Sequence, residues 1–200
     1  MCVDVELVRS SDGLPHGFQT LHGRTLLGHF RHEIGHYYWD RLIVGGPELD
    51  AFRTLFGDER EDYAQALERH YAEGPRADWA DSFISAYATM HPWEDWAESW
   101  AHYLHMVDTL ETAKSHGLTV RVPGQLAEHV STDSLALGDF DNLASHWHAV
   151  TLALNSLTRS MGVKAVYPFV LSAPALEKLA FIHRVIASSA QWQVPRNCAA

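Results

Sequence analysis

The sequence predicts a mainly helical fold, α+β only through a minimal sheet, and three observations predict it. Most of the chain from residue 24 to residue 190 divides into segments with helical patterning. Glycine and proline breakers separate those segments at Gly45-Gly46-Pro47, Gly57-Asp58, Gly74-Pro75 and Gly162. Extended patterning is scarce, confined to VDVELV near the start, short pieces between residues 116 and 140, and VYPFVLS near residue 170. At 200 residues, with no repeat, low-complexity tract or linker, the chain fits a single domain over 1–200.

Taken in order, the first 24 residues read as one short strand and a loop. A helix from about Arg24 to Ile43 is stopped by Gly45-Gly46-Pro47. PELDAFRTLF forms a short amphipathic helix, and EREDYAQALERHYAEG another that ends at Gly74-Pro75. ADWADSFISAYATM is expected to be helical. Pro92 suits the first turn of a helix through roughly Ala113, with Glu94 and Asp95 near its positive end. DFDNLASHWHAVTLALNSLTRSMG is a helix closed by Gly162, and Pro174 opens a last one through about Ala190.

Composition narrows the function. A hydrophobic fraction of 46% and a charged fraction of 20% are those of an ordinary globular protein. The net charge of −10 argues against nucleic acid and anionic membrane as partners. No run is long enough to span a bilayer and no leader is evident, so the expected location is the cytoplasm. Only Cys2 and Cys198 are present, which leaves any metal to His and carboxylate ligands. The chain holds 14 histidines, and their placement is informative.

In LLGHFRHEIGHYYWDRL, residues 26–42, His32-Glu33-Ile34-Gly35-His36 is an H-E-x-x-H string on a predicted helix. Histidines at i and i+4 lie one turn apart on one face and can converge on one ion. Glu33, beside the first of them, is placed to take a proton from an activated water. Leu26, Leu27, Phe30, Ile34 and Leu42 are expected to bury this helix. The alternative is a core helix with satisfied histidines. His29 is a poor partner for His36, since seven residues of helix separate them by about 10 Å.

A third ligand must come from elsewhere. In HPWEDWAESWAHYLHMVDTL, residues 91–110, His91, Glu94, Glu98, His102 and His105 are spaced 3, 4, 4 and 3, which makes one polar stripe. Such a stripe usually faces water. Here Trp93, Trp96, Trp100, Leu104 and Val107 crowd it, and a buried carboxylate stripe requires pairing or a metal. Glu98 is central and flanked by small Ala97 and Ser99, which would let two helices approach closely. Glu94 is its rival one turn earlier. His102 could orient a ligand, or complete a three-histidine site. Two histidines and one carboxylate would leave zinc an open position, as in hydrolytic sites.

The blocks GHFRHEIGHYYWDRL, HPWEDWAESWAHYLH and LNSLTRSMGVKAVYPFVLS together resemble a bacterial family of zinc-binding metallopeptidases over roughly residues 24–187. More distantly, HEIGHYYWDRL paired with WAESWAHYL resembles the gluzincin aminopeptidases. The resemblance implies a zincin-like helical domain in which the H-E-x-x-H helix packs on a glutamate-bearing helix. It implies one zinc ion per chain, on His32, His36 and Glu98, and places Glu98 ahead of Glu94. Family members usually carry a Cys-rich zinc ribbon and further sequence before the H-E-x-x-H helix. The segment 1–24 does not look like theirs, so the substrate groove is expected to be reduced, altered or completed by another subunit.

A hydrolytic zinc site also needs a donor to the developing oxyanion. Asn155 and Arg159, i and i+4 on one helix, and Tyr167 beyond it are the candidates, with Arg159 and Tyr167 assigned to the site. His146 and His148 straddle Trp147 and read as structural or surface residues. The leading expectation is a zinc peptidase or amidase acting on a peptide or amide substrate with Glu33 as general base. The competing readings are a zinc-binding module without catalysis and a metal-free helical interaction protein.

Overall fold

The computed structural model describes residues 25–120, 128–129, 139–167 and 170–192. The strand expected within VDVELV lies outside the described residues. Among those described the architecture is mainly helical: α1 (Leu26–Leu42), α2 (Leu49–Phe56), α3 (Tyr63–Glu73), α4 (Pro92–Ser115), α5 (Phe140–Ser160) and α6 (Ala173–Trp192). The extended pieces amount to one antiparallel ladder, β1 (Thr119–Val120) on β2 (Glu128–His129), pairing Thr119 with His129 and Val120 with Glu128.

Helices α1, α3, α4 and α5 begin where side chains can take the free N–H groups of a first turn. Thr25 Oγ1 accepts from Gly28 N at 2.9 Å, and Asp62 from Gln65 N at 3.0 Å. Asp139 accepts from Asn142 N at 3.2 Å. His91 caps α4 through Nδ1, 3.1 Å from Trp93 N, with Pro92 in the first turn as its fixed φ favours. After α1 the chain turns through Gly45, at φ 64°, a left-handed conformation open to glycine at little cost.

Helix α4 runs through the centre, packed by α1 on one side and by α6, α2 and α5 on others. Its Trp96 is fully buried in an aromatic cluster, 6.0 Å from Phe52, 5.8 Å from Phe56 and 6.2 Å from Phe181 between ring centroids. Met106 and Leu110, further along α4, are buried with Leu143 of α5 and Leu179 and Ile182 of α6.

Two expectations are corrected. The segment ADWADSFISAYATM is not one helix but two 3-10 turns, Trp79–Asp81 and Tyr87–Thr89. Its polar groups bond outside a helical ladder: Ser85 Oγ accepts from Ala88 N at 3.1 Å, and the Ser82 carbonyl accepts from Lys178 Nζ at 2.9 Å. Nor is α1 buried by its large apolar residues. Leu26 is 79% exposed, Leu27 56% and Phe30 61%, while Ile34 and Leu42 only border the core. The buried side of α1 is instead small and polar: Gly28, His32 and Gly35. A Cβ on Gly35 would stand 3.1 Å from Ala97 Cα and 3.1 Å from Trp100 Cβ, so α1 approaches α4 as closely as a bare Cα allows. Trp96 Nε1 donates to the Gly35 carbonyl at 2.9 Å and fixes that contact.

Candidate metal centre

The close crossing at Gly35 brings the histidine face of α1 onto the first two turns of α4. His32 Nε2 and His36 Nε2 lie 3.2 Å apart. Glu94 Oε2 is 3.0 Å from His32 Nε2, and Glu94 Oε1 is 3.5 Å from His36 Nε2. A tetrahedral ion with bonds of about 2.05 Å places its ligand atoms about 3.3 Å apart, which these three separations bracket. Among the described residues, His32, His36 and Glu94 form the group able to hold a metal ion, with candidate ligand atoms all within 4.8 Å of one another. Glu94 Oε2 is buried and has no aligned hydrogen-bond donor, and His36 Nδ1 is likewise buried without a partner. Two imidazoles and a carboxylate so arranged fit zinc.

Glu98, expected as the third ligand, stands on the other side of the His32 ring. Its Oε1 is 2.8 Å from His32 Nδ1, and its Oε2 accepts from Ser85 Oγ at 2.6 Å. A carboxylate there selects the tautomer with the proton on Nδ1 and frees Nε2 for an ion. Both carboxylates are buried, so they act on His32 strongly. Burial alone would disfavour the imidazolium, but Glu94 and Glu98 outweigh it and push the His32 pKa up to about 10. Burial raises the Glu94 carboxyl, yet His32 and His36 hold it well below the usual range. Without an ion, then, a proton on His32 does part of the neutralising that a cation would do.

Around this cluster, Trp93 lies over His36 at 3.8 Å between ring centroids, and Tyr63 donates its hydroxyl to Glu94 Oε1 at 2.9 Å. Burial, then the negative charge of Glu94, raises the Tyr63 phenol and keeps it protonated. Glu33 is exposed on the solvent side of α1, its carboxylate 3.7 Å from His29 Nε2 and apart from the three ligating groups.

The structure does not bring Tyr167 and Arg159 to this cluster. Tyr167 is buried, with its hydroxyl 2.9 Å from His102 Nε2. His102 stands eight residues along α4 from Glu94, about 12 Å of helix rise. The Asn155 side chain clamps the Tyr167 backbone, accepting from its N at 3.0 Å and donating to its O at 2.6 Å. Arg159 is exposed, within 3.3 Å of Ser156 Oγ. Sequence reasoning missed Tyr63 and Ser85. Their partners lie 31 and 13 residues away, beyond any helical spacing, so no periodic signal pointed to them.

An H-E-x-x-H helix crossed by a helix that contributes a buried glutamate defines a candidate His-His-Glu metal centre. The chain belongs to a zinc-binding metallopeptidase family: residues 20–185 match the family described as "Putative zinc-binding metallo-peptidase". Uncharacterized proteins of Mycobacterium tuberculosis and Mycobacterium bovis are 51% identical over 166 residues, which is 82% of this chain and 47% of theirs. The chain thus spans about half the length of the curated relatives it matches. No solved structure matches it.

Proposed function

We propose that the chain is a zinc-dependent hydrolase of peptide or amide bonds, with the ion on His32, His36 and Glu94 and with Glu33 as general base. The observation that carries this reading is the division of labour on α1. Its two histidines converge with Glu94, while the glutamate between them stays outside the cluster and open to solvent.

A zinc ion held there would supply Lewis acidity to the substrate carbonyl and acidify an attacking water. The remaining roles belong to the chain. Glu33 takes the proton of the water on its carboxylate and returns it to the leaving amine. Glu98 holds the His32 ring by Nδ1, and Ser85 holds Glu98, so the Nε2 lone pair stays aimed at the ion. Tyr63 reaches the centre through its hydroxyl on Glu94 Oε1, and in this reading it takes the oxyanion-side role first sought at Tyr167 and Arg159.

The test is Glu33→Gln. Zinc content and fold should be preserved, because Glu33 is not a ligand. Turnover of a peptide or amide found by screening the wild type should fall by ~10²–10⁴-fold. Undiminished turnover would remove Glu33 from the mechanism. A zinc-loaded wild type with no activity across a broad library would favour a binding module that retains the metal without catalysis.

A further inference from the structure

A cavity of about 220 Å³ opens beside the metal centre, and it shares two of its walls with that centre. Those walls are Trp93, whose ring lies over His36, and Tyr63, whose hydroxyl is bonded to Glu94. Trp39 is a third aromatic wall, and Asp40, Glu59, Glu61 and His91 complete the lining. Among the described residues no lysine or arginine lines it. We propose that this cavity receives an organic cation of the peptide substrate, an ammonium or guanidinium, and so selects substrates by positive charge next to the scissile bond. This rests on the hydrolase reading above.

Three aspects of the geometry support it. Two parts of the wall are held in place, the Glu59 side chain and the Glu61 backbone. Arg53 grips Glu59 through two bonds, at 2.9 and 2.5 Å. Buried His91 holds the Glu61 carbonyl at 3.1 Å while its other nitrogen caps α4. Those parts of the wall need little ordering when a ligand arrives.

The charge is also left unbalanced. Arg53 offsets Glu59, but Arg69 comes only within 4.0 Å of Glu61, and both groups are more than half exposed, where pairing is weak. Asp40 forms no ion pair among the described residues.

The arrangement suits an organic cation and not a metal. Among the described residues only His32, His36 and Glu94 converge tightly enough to hold an ion, so the three wall carboxylates are too spread for one. Carboxylates that do not converge, in a lining shared with aromatic rings, instead match a cationic head on an apolar stem, which π faces can attract.

The experiment is isothermal titration of the zinc-loaded full chain with N-acetylated, C-amidated Ala-Arg-Ala and Ala-Lys-Ala. Their neutral counterparts carry citrulline and norleucine, and unacetylated Ala-Ala-Ala amide reports on a free amino terminus. At least one cationic peptide should bind about tenfold more tightly than its neutral counterpart, about 1.4 kcal/mol. Preference for the acetylated Arg and Lys peptides assigns the cation to a side chain. Preference for unacetylated Ala-Ala-Ala assigns it to the amino terminus. The advantage should vanish in Asp40→Asn/Glu61→Gln with zinc content unchanged. Equal binding of charged and neutral peptides would overturn the proposal, as would discrimination that survives the double substitution. Hydrolysis separates the two readings. Cleavage without charge preference removes the cation site and leaves the hydrolase, whereas charge-selective binding without cleavage does the reverse.

Discussion

Removing the Lys178 ammonium should be among the most damaging single changes in the described core. Asp95, next to the candidate ligand Glu94, is 0% exposed, and Lys178 on α6 is 4% exposed. Lys178 Nζ donates to Asp95 Oδ2 at 2.6 Å and to the Ser82 carbonyl at 2.9 Å, and lies 4.2 Å from the Phe83 ring centroid. One ammonium thus ties α4, α6 and the first 3-10 turn together. Lys178→Met keeps most of the apolar stem but leaves a buried carboxylate without its cation, which costs about 3–5 kcal/mol. The orphaned Ser82 carbonyl adds about 1 kcal/mol. Against a typical total of about 5–15 kcal/mol, that is about a quarter of the stability or more.

The cost should depend on pH with a defined sign. Burial pushes the Asp95 pKa up to about 7 even with Lys178 pulling it down, and removing Lys178 raises it further. A carboxyl whose folded pKa lies above its unfolded value binds more protons when folded. Stability is then greatest at low pH and falls as pH rises from about 4 through the folded pKa. Urea unfolding in the presence of a chelator, at pH 5 and pH 8, is the assay. The deficit of Lys178→Met relative to wild type should be larger at pH 8. Asp95→Leu/Lys178→Met should recover much of the loss and lose this pH dependence. A deficit under 1 kcal/mol, or one that shrinks as pH rises, would refute the reasoning.

Gly35→Ala should cost about 1–3 kcal/mol by forcing α1 off α4, since the new Cβ meets the Ala97 Cα at 3.1 Å and the Trp100 indole at 3.2 Å. Thermal melting would register the cost, and zinc affinity should drop with it; an unchanged melting temperature would mean that the helix contact is looser than drawn. Glu94→Ala and Glu98→Ala should differ in kind. The first should leave no stoichiometric zinc after dialysis, while the second should keep it with affinity weakened about 10–100-fold. Elemental analysis and competition with a chromogenic chelator read both, and zinc lost from Glu98→Ala but kept by Glu94→Ala would reverse the assignment.

The helices were legible because caps and breakers are local. Thr25, Asp62, His91 and Asp139 act within three residues of themselves, and Gly45 marks its own turn. The burial of α1 was not legible, because hydrophobicity does not say which face a neighbour covers. Leu26 and Phe30 read as core residues, yet α4 took the face of Gly28, His32 and Gly35. The segment 79–90 failed for a related reason: Ser82 and Ser85 bond to distant groups that no local pattern displays.

The choice between Glu94 and Glu98 shows where sequence reasoning stops. The two lie one turn apart on the same face of α4, so helical spacing favours neither. What separates them is the register of α1 across α4, set by Gly35 against Ala97 and locked by Trp96 on the Gly35 carbonyl. In that register the His32 ring lies between both carboxylates and gives one nitrogen to each: Nε2 to Glu94 and Nδ1 to Glu98. His36 decides between them. Its Nε2 faces the Nε2 of His32 and not the Nδ1, so an ion shared by the two rings must lie on the Glu94 side. Glu98 is thereby left to orient the ring. A single glycine contact thus sets two glutamates that helical spacing cannot tell apart against different nitrogens of one ring.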